Sequence, residues 1–316
     1  MTPLFLFSLP RSGSTLVQRV LASSPEVATV PEPWVLLPLL GMRQEGTYAK
    51  YGHKYARRAI DDFVERLDGK INGFDEELRQ FVNRLYERAS GDEARYFLDK
   101  TPRYHTIAPR LLEIFPDAKA IILWRNPLSI VASMIETWGD GRWNLYRYRI
   151  DLYHGLPTLI DFAKQQEDNI VTVRYEDLVR GEADAWNRLC AYLGIDKAKL
   201  RKSPPSLGGE MGDPNQDEYD GVSQAPIEKW RKTLRNPLRK WWIRSYMQWL
   251  GEKRLRTMGY SFTQLENDLR SVPQSVDRLV PDLYGMGLGI LQPIIEHHIF
   301  RDKIRESSWT NLMSHY

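Results

Sequence analysis

The chain has 316 residues, of which 42% are hydrophobic and 27% charged, with 10 Trp and 16 Tyr; this excludes a disordered, collagenous or low-complexity polypeptide and leaves ample material for one core with insertions. The 44 Lys and Arg stand against 41 Asp and Glu, a net charge of +3, which excludes a general nucleic-acid surface and confines any basic site to a local cluster. The single cysteine, Cys190, excludes an intrachain disulfide, and its apolar neighbours in WNRLCAYLG mark it as core.

The chain opens without a basic segment, and its apolar run LFLF leads at once into Pro10 and Arg11. That run reads as a first strand over residues 4–8 rather than a signal segment. No apolar stretch reaches the ~18 residues of a membrane span, so the expected compartment is cytoplasmic. After the strand, LPRSGSTL at residues 9–16 has the form of an edited phosphate loop. Set against G-x-x-x-x-G-K-[ST], only Gly13 and Thr15 are retained, with Ser8 at the first glycine and Ser14 at the lysine. A strand, a tight turn and a helix over 14–24 still aim backbone amides and a positive helix end at one point. Arg11 replaces the missing charge with a planar fork suited to phosphate or sulfate oxygens. The candidate anion site is therefore Arg11, Ser12, Gly13, Ser14 and Thr15.

Further strands are expected near 27–30, 96–99, 119–124 and 170–174, with helices near 54–69, 75–90, 105–115, 127–138, 144–166, 184–193, 237–258 and 276–292. Short apolar strands alternating with helices predict an α/β fold: a three-layer α/β/α, P-loop NTPase-like parallel sheet with helical insertions and a C-terminal helical tail. The Pro-, Gly- and acid-rich stretch 203–227 reads as a loop covering the sheet's ligand edge. A main domain, 1–265, is followed by an extension, 266–316, apolar but broken by Pro and Gly. That extension suits packing on the domain, a homodimer contact or a membrane surface.

KAIILWRNPLSIVAS, residues 119–133, completes the first loop. The strand ends at Arg125, Asn126 is a good N-cap, and Pro127 suits the first helical position. Ser133 lies seven residues beyond the cap, about two turns, and so returns to the cap's face, where it can share a ligand with Arg125. Arg235, Asn236 and Pro237 repeat the tripeptide with Ile243 in place of the serine. That copy reads as a helix start alone.

PRSGST after the first strand and R-x7-S after a later one together resemble the sulfotransferases that use 3′-phosphoadenosine 5′-phosphosulfate (PAPS). DKTPRY at 99–104, VRYEDLV at 173–179 and GVSQAPIEKWRKTL at 221–234 are similar to further motifs of that family, so the resemblance covers residues 4–234. It implies transfer of a sulfuryl group from PAPS to an acceptor hydroxyl, releasing adenosine 3′,5′-bisphosphate, without a metal. It further implies that the first loop holds the 5′-phosphosulfate and that Arg125, Ser133 and Ser223 hold the 3′-phosphate. Tyr175 is implied to stack on the adenosine, Lys100 to steady the sulfuryl group, and Trp230 to anchor the closing loop. Glu32, between Pro31 and Pro33, is the implied base, with Glu26 and His105 as alternatives.

The acceptor stays open among a glycan, a glycolipid, a small molecule and a tyrosine. WGDGRWNLYRYRIDLY, residues 138–153, interleaves aromatic rings with arginines, which suits stacking on a sugar or aromatic ring beside an anion, or an ordinary amphipathic helix. His297 and His298 lack cysteine partners and suggest no metal site. Two rival readings are a kinase or ATPase using Arg11, disfavoured by the missing lysine and magnesium-binding Asp, and an inactive nucleotide-binding adaptor.

Overall fold

Leu4, Phe5, Leu6 and Phe7 leave no polar face, and such a strand is stable only where both sides of a sheet are covered. The computed structural model describes residues 1–41, 53–165, 168–201, 207 and 222–289. In it this run forms β1 (Thr2–Ser8), the middle of a five-stranded parallel sheet in the order β2-β3-β1-β4-β5. β3 (Tyr96–Asp99) pairs on one side, with Phe5 opposite Asp99, and β4 (Lys119–Trp124) on the other, with Ser8 opposite Leu123. β2 (Val27–Thr29) and β5 (Ile170–Arg174) form the edges. Side chains alternate between two layers, Phe5, Phe7, Phe97, Ile122 and Trp124 entering one core and Leu4, Leu6, Leu98, Ile121 and Leu123 the other.

The second layer is covered by α1 (Ser14–Leu21), α8 (Tyr175–Arg180) and α9 (Ala183–Leu193). The first lies under α2 (Leu36–Gly41), α4 (Lys70–Arg88), α5 (Ala108–Ile114), α6 (Pro127–Gly139), α7 (Leu156–Ala163), α11 (Trp230–Thr233), α12 (Pro237–Thr257) and α13 (Phe262–Ser271). α3 (His53–Val64) precedes α4, and α10 (Ala225–Glu228) precedes α11. The α/β/α architecture expected from the sequence is thus present, and all strand C-termini open on one edge.

Several helices depart from their expected spans. The helix expected over 54–69 stops at Val64, and the one expected over 75–90 starts at Lys70, because left-handed Gly69 (φ 72°) and Lys70 (φ 50°) separate them. The helix expected over 105–115 becomes a 3-10 turn, Tyr104–Thr106, followed by α5, where Pro109 is tolerated only in the first turn. The largest correction concerns 144–166, expected as one helix. It is a 3-10 turn (Leu145–Tyr148), a π-helical segment (Ile150–Gly155) and α7. Pro157 cannot donate to a preceding turn, and a Cβ at Gly155 would lie 2.1 Å from the His105 ring.

The tail helix expected from residue 276 begins at 279 as α14 (279–289) and is tied down by a buried ion pair. Asp282 accepts from Arg239 Nη2 at 2.9 Å and Nε at 2.5 Å, and from Asn236 Nδ2 at 3.0 Å. The remaining Arg239 donors go to the carbonyls of Thr233 and Gly141. The second Arg-Asn-Pro tripeptide is therefore more than a helix start: Asn236 caps α12 by accepting from Leu238 N at 2.8 Å and also latches the tail. Among the described residues no helix is long and apolar enough to cross a membrane.

At the exit of β3, Asp99 is fully buried and accepts from the hydroxyls of Tyr86 (2.7 Å), Thr101 (2.8 Å) and Tyr104 (3.1 Å). Burial pushes its carboxyl up to about 6 although those bonds favour the charged form.

Truncating Asp282→Ala should strand the Arg239 charge and lower the unfolding free energy in urea by about 3–5 kcal/mol, whereas the double exchange of Arg239→Met with Asp282→Leu should lose far less. Asp99 binds its proton more tightly folded than unfolded, where it titrates near 3.8, so its contribution is full below that pH and is lost as pH rises through about 6. Urea midpoints of the wild type should accordingly fall relative to Asp99→Asn as pH rises from about 4 to about 7; a parallel pair of curves would exclude this titration.

Candidate active site

β1 ends at Ser8, and the chain then turns through two left-handed residues, Arg11 (φ 66°) and Gly13 (φ 86°). A Cβ at Gly13 would lie 2.3 Å from the Tyr175 ring, so only glycine fits there. Ser14 and Thr15 open α1, whose first amides have no intrahelical acceptor. Ser12 behaves differently. Its amide donates to Leu9 O at 3.2 Å, its hydroxyl is buried, and it lines neither of the two cavities that flank the loop.

Arg125 leaves the end of β4 with only 7% of its surface exposed. Its Nη1 donates to Arg11 O at 2.7 Å and its Nη2 to Pro226 O at 3.2 Å, and the guanidinium lies 4.6 Å from the centre of the Tyr175 ring. Among the described residues no carboxylate pairs with it, and Nε has no partner. Burial holds its pKa below the ordinary arginine range. Asn126 caps α6 by accepting from Leu128 N at 2.9 Å, and two turns later Ser133 Oγ accepts from Arg11 Nε at 3.2 Å. Both arginines and the serine thus border one cavity of about 240 Å³, which extends to Thr15, Tyr175, Lys229 and Trp230. Ser223 stands exposed at its rim, accepting from Ala225 N at 3.3 Å. Of the loop expected over 203–227, residues 203–206 and 208–221 lie outside the described ones, and 225–227 are helical, in α10.

A second cavity, of about 330 Å³, shares Arg11, Gly13 and Thr15 with the first and continues past Ser14 to Glu32 and Lys100. Glu32 Oε1 and Lys100 Nζ form an ion pair at 2.6 Å, their side chains 10% and 5% exposed. The Trp34 indole donates to Glu32 Oε2 at 3.4 Å. The segment carrying Glu32 is held by the Asp99 group of hydroxyls: Trp34 N donates to Thr101 Oγ1 at 3.3 Å and Leu36 N to Tyr104 Oη at 3.1 Å. Glu32 (φ 36°), Trp34 (φ 56°) and Arg103 (φ 72°) are left-handed, as Arg11 is, so four strained non-glycine residues surround this one cavity. Such strain persists only where the surroundings over-determine it and concentrates at functional sites.

The alternative bases are placed elsewhere. Glu26 precedes β2 and pairs with Arg95 at 2.7 Å and Lys199 at 2.9 Å. His105 is fully buried, 3.3 Å from Asp151, and lines neither cavity. Trp34, Arg103 and Asp151 line the second cavity without having been singled out from the sequence. Asp151 carried one usable signal, a lone acid in RYRIDLY, which the reading of 144–166 as an ordinary helix obscured.

A family model described as the sulfotransferase family matches residues 3–199. Nodulation protein NoeE of Sinorhizobium fredii is 27% identical over 73% of this chain and 60% of its own length, and protein-tyrosine sulfotransferase 2 of Gallus gallus is 24% identical over 78% and 63%. The chain thus spans less than two thirds of the length of these curated relatives. Among solved structures, the sulfotransferase domain from the curacin biosynthetic pathway superposes with a TM-score of 0.51 at 26% identity, covering 73% of this chain and 91% of that one. The matched residues carry every strand of the sheet and both arginines beside Ser133, and the chain belongs to the sulfotransferase family.

Proposed function

We propose that this protein transfers a sulfuryl group from PAPS to a hydroxyl-bearing acceptor. The observation that carries this reading is Arg125, a buried guanidinium that borders the cavity and forms no ion pair among the described residues, while the one carboxylate lining that cavity, Glu136, accepts from Thr233 Oγ1 at 2.8 Å. A buried cation is costly unless paired, so the cavity is built for an anion. The residues fit PAPS: Arg125, Ser133 and Ser223 would hold the 3′-phosphate, Tyr175 would contact the adenosine, and Arg11 with the amides of Gly13, Ser14 and Thr15 would hold the phosphosulfate. When bound, PAPS supplies an electrophilic sulfur on a phosphate leaving group.

The protein's own part is positional and electrostatic. Glu32 faces the second cavity and takes the proton of the acceptor hydroxyl, which is a weak nucleophile until that proton leaves. Lys100 holds the Glu32 carboxylate at 2.6 Å. As Glu32 gains a proton, the Lys100 ammonium loses its counter-charge and becomes available to oxygens gathering negative charge at the loop. Arg11, common to both cavities, stabilises charge on the side that departs.

Calorimetric titration of the purified chain should show adenosine 3′,5′-bisphosphate binding in preference to 5′-AMP and to ATP with magnesium. Arg125→Ala should weaken the bisphosphate by about 10- to 100-fold and leave 5′-AMP little changed. A preference for ATP, or no nucleotide binding, overturns the proposal. With an acceptor in hand, Glu32→Gln should lower kcat by about 10²–10⁴-fold while the bisphosphate affinity stays that of the wild type; an unchanged kcat would remove Glu32 as the base.

A further inference from the structure

We infer that Asp151 is a specificity-determining residue that selects a polyhydroxylated, sugar-like acceptor; this rests on the sulfuryl-transfer reading above. The Asp151 side chain is 1% exposed and borders the same cavity as Glu32 and Lys100. Neither of its oxygens accepts a hydrogen bond among the described residues. Buried carboxylates are almost always hydrogen-bonded, and leaving one unsatisfied is costly. Oδ1 has ion-pair neighbours, whereas Oδ2 has none among the described residues, so Asp151 keeps acceptor capacity beside a cavity that a substrate enters.

The chemistry of the missing donors follows from what already surrounds it. Arg103 Nε lies 3.5 Å from Oδ1, so a positive charge is close at hand and the ligand need not be a cation; His105 Nε2 lies 3.3 Å from the same oxygen. Neutral O–H groups suit it, and two carboxylate oxygens can accept from two of them. The walls supply the rest of a sugar site. Trp138 and Tyr148 stack with ring centres 4.4 Å apart, and both border the cavity together with Trp34, giving apolar surface for a ring face beside a polar group that fixes its orientation. A tyrosine side chain has one hydroxyl, which Glu32 claims; its ring would leave Asp151 Oδ2 desolvated and without a donor. Sites built to bond a hydroxyl reject analogues that lack it far more strongly than apolar pockets reject a missing methylene.

The test uses the full chain and radiolabelled PAPS on an array of neutral oligosaccharides beside tyrosine-containing peptides. We expect sulfation of a glycan and little of any peptide. For the best glycan, removing the hydroxyl next to the sulfated one should lower kcat/KM by about 100-fold or more. Asp151→Asn should raise the KM for the parent glycan by about 10- to 100-fold, change kcat less, and leave the deoxy analogue nearly unaffected, the coupling expected of two groups in contact. Bisphosphate affinity equal to that of the wild type shows that the variant is folded; were it not, the deoxy series on the wild type decides alone. Bisphosphate binding with peptides preferred over every glycan, with no glycan sulfated, or with deoxy analogues as good as the parent overturns the role of Asp151 and leaves sulfuryl transfer standing. No bisphosphate binding by the wild type overturns both.

Discussion

The geometry around the first loop depends on a single stack: Gly13 lies against the Tyr175 ring, and Arg125 covers that ring while bonding Arg11 O. Each layer demands the next. The ring leaves no room for a Cβ, so the turn takes a left-handed glycine; that turn aims the opening of α1 at the cavity; and Arg125, packed on the ring, is drawn below the surface, where its charge lacks a carboxylate among the described residues. Parallel pairing supplies the frame, since β1, β4 and β5 bring residues 8, 125 and 175 to the same edge of the sheet. Ligands of open α/β sheets gather at such carboxyl edges.

Much of this half was legible because it is local. An apolar strand, a turn containing one obligatory glycine and an N-capped helix are each written in consecutive residues, and Arg125, Asn126, Pro127 and Ser133 needed only the helical repeat to be grouped. Residue types alone did not give the placement of Ser12, whose amide donates to Leu9 O and whose hydroxyl is buried. The second Arg-Asn-Pro shows the reverse. Its capping role was local and visible, while its bond to Asp282 spans 46 positions and had no local trace.

The second cavity was harder to read for a physical reason. Its walls come from β2's exit, β3's exit, the end of α6 and the segment before α7, so no repeat connects Trp34, Lys100, Trp138 and Asp151. The 144–166 stretch was also expected as a single helix. The chain instead passes through 3-10 and π turns before α7, and a change in winding redirects each side chain after it.

Residues 99–101 explain how such a distributed site keeps its shape. Asp99 points inward to three hydroxyls, Lys100 points to Glu32, and Thr101 accepts from Trp34 N while donating to Asp99. Tyr104 repeats the pattern one turn on, accepting from Leu36 N and donating to the same carboxyl. The left-handed backbone at Glu32 and Trp34 is thus held on its C-terminal side, at Trp34 N and Leu36 N, by one buried group, whose carboxyl is itself desolvated. A carboxylate on a strained segment, fixed by an ion pair and by the backbone bonds of its neighbours, has little freedom to reorient when a hydroxyl arrives. If Glu32 is the base proposed above, preorganisation of this kind shifts the cost of orienting it from the reaction to folding.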